Sequence, residues 1–212
     1  LKFIALSDFQ IKKSKELKIN LNFIAKIYNG INLNDFSFYS KGKGYVGWLG
    51  RISPEKGIAV ALKMAKKYKW NFQFAGTKHS KQYFIDEVRP YINNNIKYVG
   101  PVYEKEKQTF YGGCDVFVVP IQWDEPFGLT IIEAMACGVP VVAFNRGAMK
   151  ELIVEGKTGY VVDADDEKGF AQAVEKAKKL NREECRRHVE KNFTIEKMTA
   201  NYLGIYQKTL NK

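Results

Sequence analysis

From Tyr45 onward, short runs of apolar, β-branched and aromatic residues alternate with stretches whose apolar positions recur at helical spacing. Residues 45–50 read as a strand. Ser53-Pro54-Glu55 then supplies an N-cap, a proline at the first helical position and an acidic first turn, and Ile58, Ala61, Leu62, Ala65 and Tyr68 follow on one helical face. The same alternation predicts strands at 71–76 and 96–100, with helices at about 79–91 and 103–111. Residues 115–120 show no polar alternation, as expected of a strand buried on both faces. A helix at 129–137 ends at Gly138, a strand follows at 140–144, a short helix at 149–154 and an edge strand at 159–162. Beyond it the pattern is helical. The last helix, from about Thr194, carries Ile195, Met198, Tyr202, Tyr206 and Leu210 on one stripe, which calls for a surface to pack on.

Strands separated by helices in this way form βαβ units with right-handed crossovers, so the expected fold is α/β with a Rossmann-like, doubly wound parallel sheet. The first residues differ. Strand candidates at 3–7 and 24–28, a turn at Asn29-Gly30 and a polar stretch ending in Lys41-Gly42-Lys43-Gly44 read as the tail of another unit followed by a linker.

The 212 residues, 45% hydrophobic and 27% charged, exclude a disordered or collagen-like chain. A chain of this mass is expected to fold to roughly 10,000 Å² of accessible surface, enough burial for one full core. No apolar run approaches the roughly 20 residues of a membrane span, and residues 1–18 lack the apolar stretch and cleavage site of a signal peptide, so the expected location is cytoplasmic. The absence of an initiating Met and the apolar start suggest a fragment of a longer protein. Cys114, Cys137 and Cys185 have no zinc-ligand spacing and read as buried thiols rather than a disulfide framework.

The net charge of +11 invites a polyanion: nucleic acid, an acidic membrane surface or a phosphorylated ligand. The lysines cluster at 12, 13, 15 and 18, at 66, 67 and 69, and at 176, 178 and 179, and solvated helix faces explain most of them. No basic-aromatic strand of the RNA-binding type is present, and nucleic acid is not expected as a partner. Peripheral contact with the acidic inner face of a membrane stays open.

In an open parallel sheet, ligands lie outside the carboxyl ends of the strands. Two of the loops there carry charge. In Gly50-Arg51-Ile52-Ser53-Pro54-Glu55-Lys56-Gly57 a strand ends in Gly, an Arg follows, and a Lys falls on the first turn of a helix. A forked cation and a point cation near free helix amides suit a pyrophosphate. They equally suit two ordinary surface residues. The dinucleotide and P-loop glycine fingerprints are absent. In the second loop, Glu125 and Glu133 flank a helix start with seven residues between them, and Gly128 bares the amides of Leu129 and Thr130. Glu133 sits among Ile131, Ile132 and Ala134, where a carboxylate is costly to bury unless something donates hydrogen bonds to it. Sugar hydroxyls would serve. A surface Glu in the second turn of the helix is the other reading.

These residues resemble a family. Arg51 with Lys56, the block from Glu125-Pro126-Phe127-Gly128 through Glu133-Ala134-Met135-Ala136-Cys137-Gly138, and the following Val139-Pro140-Val141-Val142 are similar to the retaining glycosyltransferases of family 4, which have the GT-B fold. Asn29-Gly30-Ile31 and Thr158-Gly159-Tyr160 resemble further landmarks, and the likeness spans almost the whole chain. It implies two Rossmann-like domains facing a cleft, of which this chain is the C-terminal, donor-binding one. Residues 1–40 would then be a remnant of the N-terminal domain with the linker, 41–192 the nucleotide-sugar-binding domain, and 193–212 a helix packing back toward the N-terminal domain. The resemblance makes Arg51 and Lys56 the partners of the donor's pyrophosphate, in place of a metal ion, with Gly50 beside them. Glu125 would bind the transferred sugar, the backbone from Phe127 through Gly128 and Leu129 to Thr130 the sugar and phosphates, Glu133 the ribose, and Gly100-Pro101-Val102 would border the base. The expected donor is a UDP- or GDP-sugar and the acceptor a glycan, lipid or small molecule. No cofactor is implied, and no carboxylate nucleophile is assigned.

Residues 146–151 depart from the family pattern, which often has Gly-Gly and a Pro before the Glu. The family's histidine from the N-terminal domain has no counterpart, since His79 and His188 fall on predicted helices outside the motifs. The chain alone is therefore expected to bind nucleotide weakly and to transfer nothing appreciable. A GT-B epimerase or phosphorylase, or a non-catalytic module docking on acidic lipid or a partner subunit, are the alternatives.

Overall fold

A computed structural model describes residues 1–210; the last two residues of the expected 193–212 helix lie outside this range. Its centre is a six-stranded parallel sheet. In chain order the strands are β3 (Tyr45–Leu49), β4 (Phe72–Ala75), β5 (Ile96–Tyr98), β6 (Cys114–Val119), β7 (Val141–Phe144) and β8 (Gly159–Val162), and in space they run β5-β4-β3-β6-β7-β8. The winding reverses between β3 and β6, and there the crossovers diverge to leave a crevice at the carboxyl ends.

Both faces of the sheet are covered. Along β6 and β7, Phe117, Val119, Val141 and Ala143 join the core beneath α4 (Glu104–Gly113), α5 (Leu129–Ala136) and α8 (Arg182–Asn192). Val116, Val118, Val142 and Phe144 join the core on the other face, with α2 (Ile58–Lys67) and α7 (Glu167–Ala177). This period-two split of an apolar run is what burial on both sides requires. A mixed helix (α3) on that second face runs through Lys81–Tyr83, Phe84–Val88 and Arg89–Tyr91. All three cysteines are buried thiols, and burial raises their pKa. The accessible surface is 11297 Å², close to the size expectation.

The first residues hold more structure than the sequence pattern predicts. The strands β1 (Phe3–Ala5) and β2 (Phe23–Lys26) form near the two strand candidates and pair in parallel, and the helix α1 (Asp8–Glu16), which was not expected, connects them. The helix has few apolar positions and so no stripe to read. It is fixed from outside: Ser7 Oγ accepts from Gln10 N at 3.2 Å, and the Glu151 carboxylate accepts from the amides of Asp8 and Phe9 at 2.8 and 2.7 Å. Glu151 stands at the end of the short helix α6 (Met149–Leu152), so the N-terminal unit is bolted to the large sheet beside the crevice.

The linker and the C-terminal segment cross side by side. Ile31 N donates to Phe193 O at 2.9 Å and Ile195 N to Ile31 O at 3.0 Å. Gly30 permits this contact, since a Cβ there would lie 2.2 Å from Thr194 O. The helix that follows, α9 (Ile195–Leu210), has no buried residue, so its stripe does not pack on the sheet domain.

Candidate functional site

The crevice is built by main-chain stitching at the strand ends. Gly50 N donates to Ala75 O at 3.1 Å and Gly76 N to Gly100 O at 3.0 Å, tying β3, β4 and β5 together where they end. Gly76 is essential to that floor: its φ is +142°, and a Cβ would lie 1.7 Å from Gly50 O.

Between β3 and α2 the structure differs from the sequence expectation. Ser53 does not cap α2. Pro54–Lys56 forms a separate 3₁₀ turn, and α2 begins only after Gly57, which is left-handed at φ +75°. Ser53 Oγ instead donates to Glu55 Oε1 at 2.7 Å, and Arg51 donates to the same oxygen at 2.7 Å. These bonds, led by that from Ser53, hold the Glu55 carboxyl at a pKa of about 2. The 3₁₀ turn is locked onto the loop after β6: Gln122 N donates to Glu55 O at 2.9 Å, and a Cβ on Gly57 would lie 1.8 Å from Pro120 O.

That lock delivers Lys56 to Glu125. Lys56 Nζ lies 2.5 Å from Glu125 Oε2, with both side chains mostly buried, and Trp123 Nε1 donates to the same oxygen at 3.1 Å. The ammonium also stands 4.9 Å from the centroid of the Trp123 ring. The segment 146–151 supports Glu125 from behind: Ala148 N donates to Glu125 O at 2.9 Å, and Gly147, at φ +69°, leaves no room for a Cβ against the Glu125 backbone. Ser7 Oγ donates to Pro126 O at 2.7 Å, and Lys13 pairs with Asp124 at 2.8 Å, so the N-terminal unit braces the same loop. Gly128, at φ +114°, begins α5 without a side-chain cap, leaving the first amides of that helix to other partners.

Glu133, one turn further into α5, is 8% exposed. Its cost of burial is met by the protein itself: Lys107 Nζ donates to Oε1 at 2.6 Å and the Tyr111 hydroxyl to Oε2 at 2.7 Å. Tyr111 is fully buried; burial first and the neighbouring Glu133 charge second push its pKa well up, so the hydroxyl keeps its proton and donates.

Three abutting depressions carry these groups. One, of about 60 Å³, is lined by Gly50, Lys56, Glu125, Gly128 and Thr130. The next, of about 520 Å³, shares Leu49 and Gly50 with it and adds Arg51, Pro101, Val102 and Lys107. The third, of about 600 Å³, shares Glu104 and Lys107 and adds Glu133. Arg51, Lys56, Glu125 and Glu133 thus lie along one rim. Gly100, left-handed at φ +90°, precedes Pro101 on that rim. Leu129 is 46% exposed and lines none of the three, and the Phe127 side chain turns inward against Tyr28 and Phe193, so only its backbone is offered outward.

Lys107, Tyr111 and Trp123 were not anticipated from sequence. Lys107 and Tyr111 stand four apart on α4, a spacing that puts both on one helical face. Nothing in the chain pattern says that this face meets α5. His79 lies in the loop before α3 and is exposed, not helical. His188 is a packing residue: its Nε2 is 2.9 Å from Leu152 O and its ring stacks edge-on against Phe193. No helix among the described residues is long and apolar enough to cross a membrane.

Comparison with known proteins places this geometry. Over 190 residues the chain is 30% identical to spore coat protein SA of Bacillus subtilis, covering 79% of this chain and 49% of that protein. It is 29% identical over 161 residues to glycogen synthase of Mycobacterium tuberculosis, covering 71% of this chain and 39% of that one. Among solved structures, sucrose-phosphate synthase from Thermosynechococcus elongatus superposes with a TM-score of 0.86 at 22% identity, over 99% of this chain and 58% of that one. Anabaena Alr3699/HepE, solved in complex with UDP and glucose, superposes with a TM-score of 0.82 at 21% identity, over 97% of this chain and 62% of that one. The chain therefore spans about half the length of the Bacillus relative and under two thirds of these solved chains. Residues 33–194 match the family of glycosyl transferases group 1, and the chain, with the Rossmann-like sheet of a GT-B enzyme, belongs to that family.

Proposed function

We propose that this chain is the donor-binding half of a retaining glycosyltransferase, which transfers a sugar from a UDP- or GDP-sugar to an acceptor hydroxyl. The observation that carries the reading is the Lys56–Glu125 pair at the sheet's switch point, facing the uncapped start of α5. A diphosphate entering there competes with Glu125 for Lys56. The cation and the helix amides then take the phosphate charge, and the released carboxylate accepts hydrogen bonds from the sugar. Arg51 is held in reserve by Glu55 in the same way.

In the reaction, the bond from the anomeric carbon to the β-phosphate oxygen breaks and the acceptor oxygen bonds to that carbon from the same face. The acceptor proton passes to the departing phosphate, so no enzyme nucleophile is used. Charge grows on the leaving phosphate, where fixed donors are worth about 100-fold in rate each. Lys56 and Arg51 neutralise this charge in place of a metal ion. The acceptor, a glycan, lipid or small molecule, is held by an N-terminal domain, and the exposed stripe of α9 together with the β1-α1-β2 unit is the surface that domain covers. The UDP of the Anabaena complex favours a uridine donor.

Calorimetry with UDP, GDP and ADP tests the reading. The chain is expected to bind one of them weakly and to lose most of that affinity on Arg51→Ala. Unchanged affinity in the variant removes Arg51 from the site. Appreciable sugar transfer by the chain alone would overturn the need for a second domain.

A further inference from the structure

We infer that Lys107 is a positioning residue for nucleotide recognition: with Tyr111 it presents the Glu133 carboxylate, in one orientation, to a pair of adjacent ribose hydroxyls. The inference rests on the donor-site reading above and adds to it a residue outside the two loops that define that site.

The geometry is specific. Each oxygen of Glu133 receives one donor from α4, Oε1 from Lys107 and Oε2 from Tyr111. A carboxylate offers about four lone-pair sites, two on each oxygen. One site per oxygen is therefore left for an incoming group, and two adjacent O–H donors match the side-by-side oxygens of a carboxylate. A single fixed donor on each oxygen stops the carboxylate from rotating, so the order is in place before a ligand arrives.

Lys107 also stands where the ligand must pass. It lines both the depression of Gly50, Arg51, Pro101 and Val102 and the one of Glu133. The Lys107 side chain is 27% exposed, whereas that of Glu133 is 11% exposed and Tyr111 is sealed. Of the two donors to Glu133, the ammonium alone combines a full charge with access to the open rim. It neutralises Glu133 without a counter-ion from solvent, so a neutral diol can displace water from the carboxylate without carrying charge into a half-buried site. The Tyr111 hydroxyl cannot supply that charge.

The test separates the ribose from the rest of the nucleotide. With the full 212-residue chain, calorimetry compares the tightest-binding of UDP, GDP and ADP with its 2′,3′-dideoxy analogue and with inorganic pyrophosphate. For Lys107→Met, the expected result is a loss of about tenfold in affinity for the ribonucleotide, with little or no further loss for the dideoxy analogue and none for pyrophosphate. Lys107→Arg, which keeps the charge, should recover most of the loss, and thermal melting confirms that both variants are folded. Equal losses on the ribo- and dideoxynucleotides would overturn the inference, as would unchanged affinity for both. Weakened pyrophosphate binding would also overturn it, by making Lys107 a phosphate ligand. Failure of the wild-type chain to bind any of the three nucleotides would instead count against the donor-site reading.

Discussion

The carboxylates of Glu125 and Glu133 flank the start of one helix yet are held in opposite ways. Glu125 stands on the loop after β6 and receives both of its donors, Lys56 and Trp123, on one oxygen, beside a space of about 60 Å³. Glu133 stands inside α5 and receives one donor on each oxygen, beside a space of about 600 Å³. Small-molecule pockets commonly run from about 300 Å³ upward. The Glu133 end has room for an occupant as it stands, while the Glu125 end is shut by its own ion pair. Glu125 is gripped at one oxygen and Glu133 at both, which is what sets the two ends apart.

The largest test of this contrast is a pair of glycines. Gly57 underlies the shut end, and a Cβ there would meet Pro120 O at 1.8 Å from a left-handed backbone. Gly57→Ala is expected to cost more than about 3 kcal/mol, because the strand-loop lock must part. Gly100 precedes Pro101 of the middle depression, toward the open end, is equally left-handed, and has nothing within 4 Å of its missing Cβ. Gly100→Ala should cost only about 1 kcal/mol, the price of the backbone angle alone. Urea denaturation of both variants measures the difference, and equal costs would mean that the two ends are equally tight.

A smaller effect separates the two lysines. Lys107→Met leaves a buried carboxylate on a rigid helix with only Tyr111, and an expected loss of about 2 kcal/mol follows. Lys56→Met leaves Glu125 with its Trp123 donor and on a side chain more open to solvent than that of Glu133, and the expected loss is below about 1 kcal/mol. The two lysines are equally exposed, so the setting of the carboxylate is what differs. Should Lys56→Met prove the more damaging in chemical denaturation, Glu125 would have to depend on its lysine more than the more deeply buried Glu133 does.

The elements that were legible in the sequence are those whose pattern is local. β6 is an unbroken apolar run and α2 a periodic one, and both formed where predicted, within a residue or a few at the ends. The loops carrying Arg51, Lys56, Glu125 and Glu133 were legible because strand ends of a parallel sheet must lie on one rim. What escaped was set by contacts between distant segments. α1 has no apolar stripe and takes its cap from Glu151, far along the chain. Ser53 looked like a helix cap because Pro54 follows it, but the 3₁₀ turn pinned by Gln122 redirects its hydroxyl to Glu55. Lys107 carries no signal in the chain pattern, and only the packing of α4 on α5 turns it toward Glu133.

The mildest prediction concerns that redirected hydroxyl. Glu55 is held near a pKa of about 2 against an ordinary value of 4.5, first by Ser53 and then by Arg51. A folded-state value below the unfolded one means that the unfolded chain takes up the proton first as acid is added. The stabilisation is complete above about pH 4.5 and drains away as the pH falls toward 2. Ser53→Ala should therefore shift acid unfolding to higher pH, by less than about 1 kcal/mol because the carboxylate is partly open to solvent and screened. The consequence bears on the shut end of the site. At any pH well above 4.5 Glu55 stays ionised and Arg51 stays paired, so under the proposed donor-site reading a diphosphate would have to win the arginine from Glu55 and Lys56 from Glu125. A Ser53→Ala variant whose acid limb matches the wild type in a pH series of thermal melts would show that Ser53 does not hold the Glu55 carboxylate and that the low value has another source.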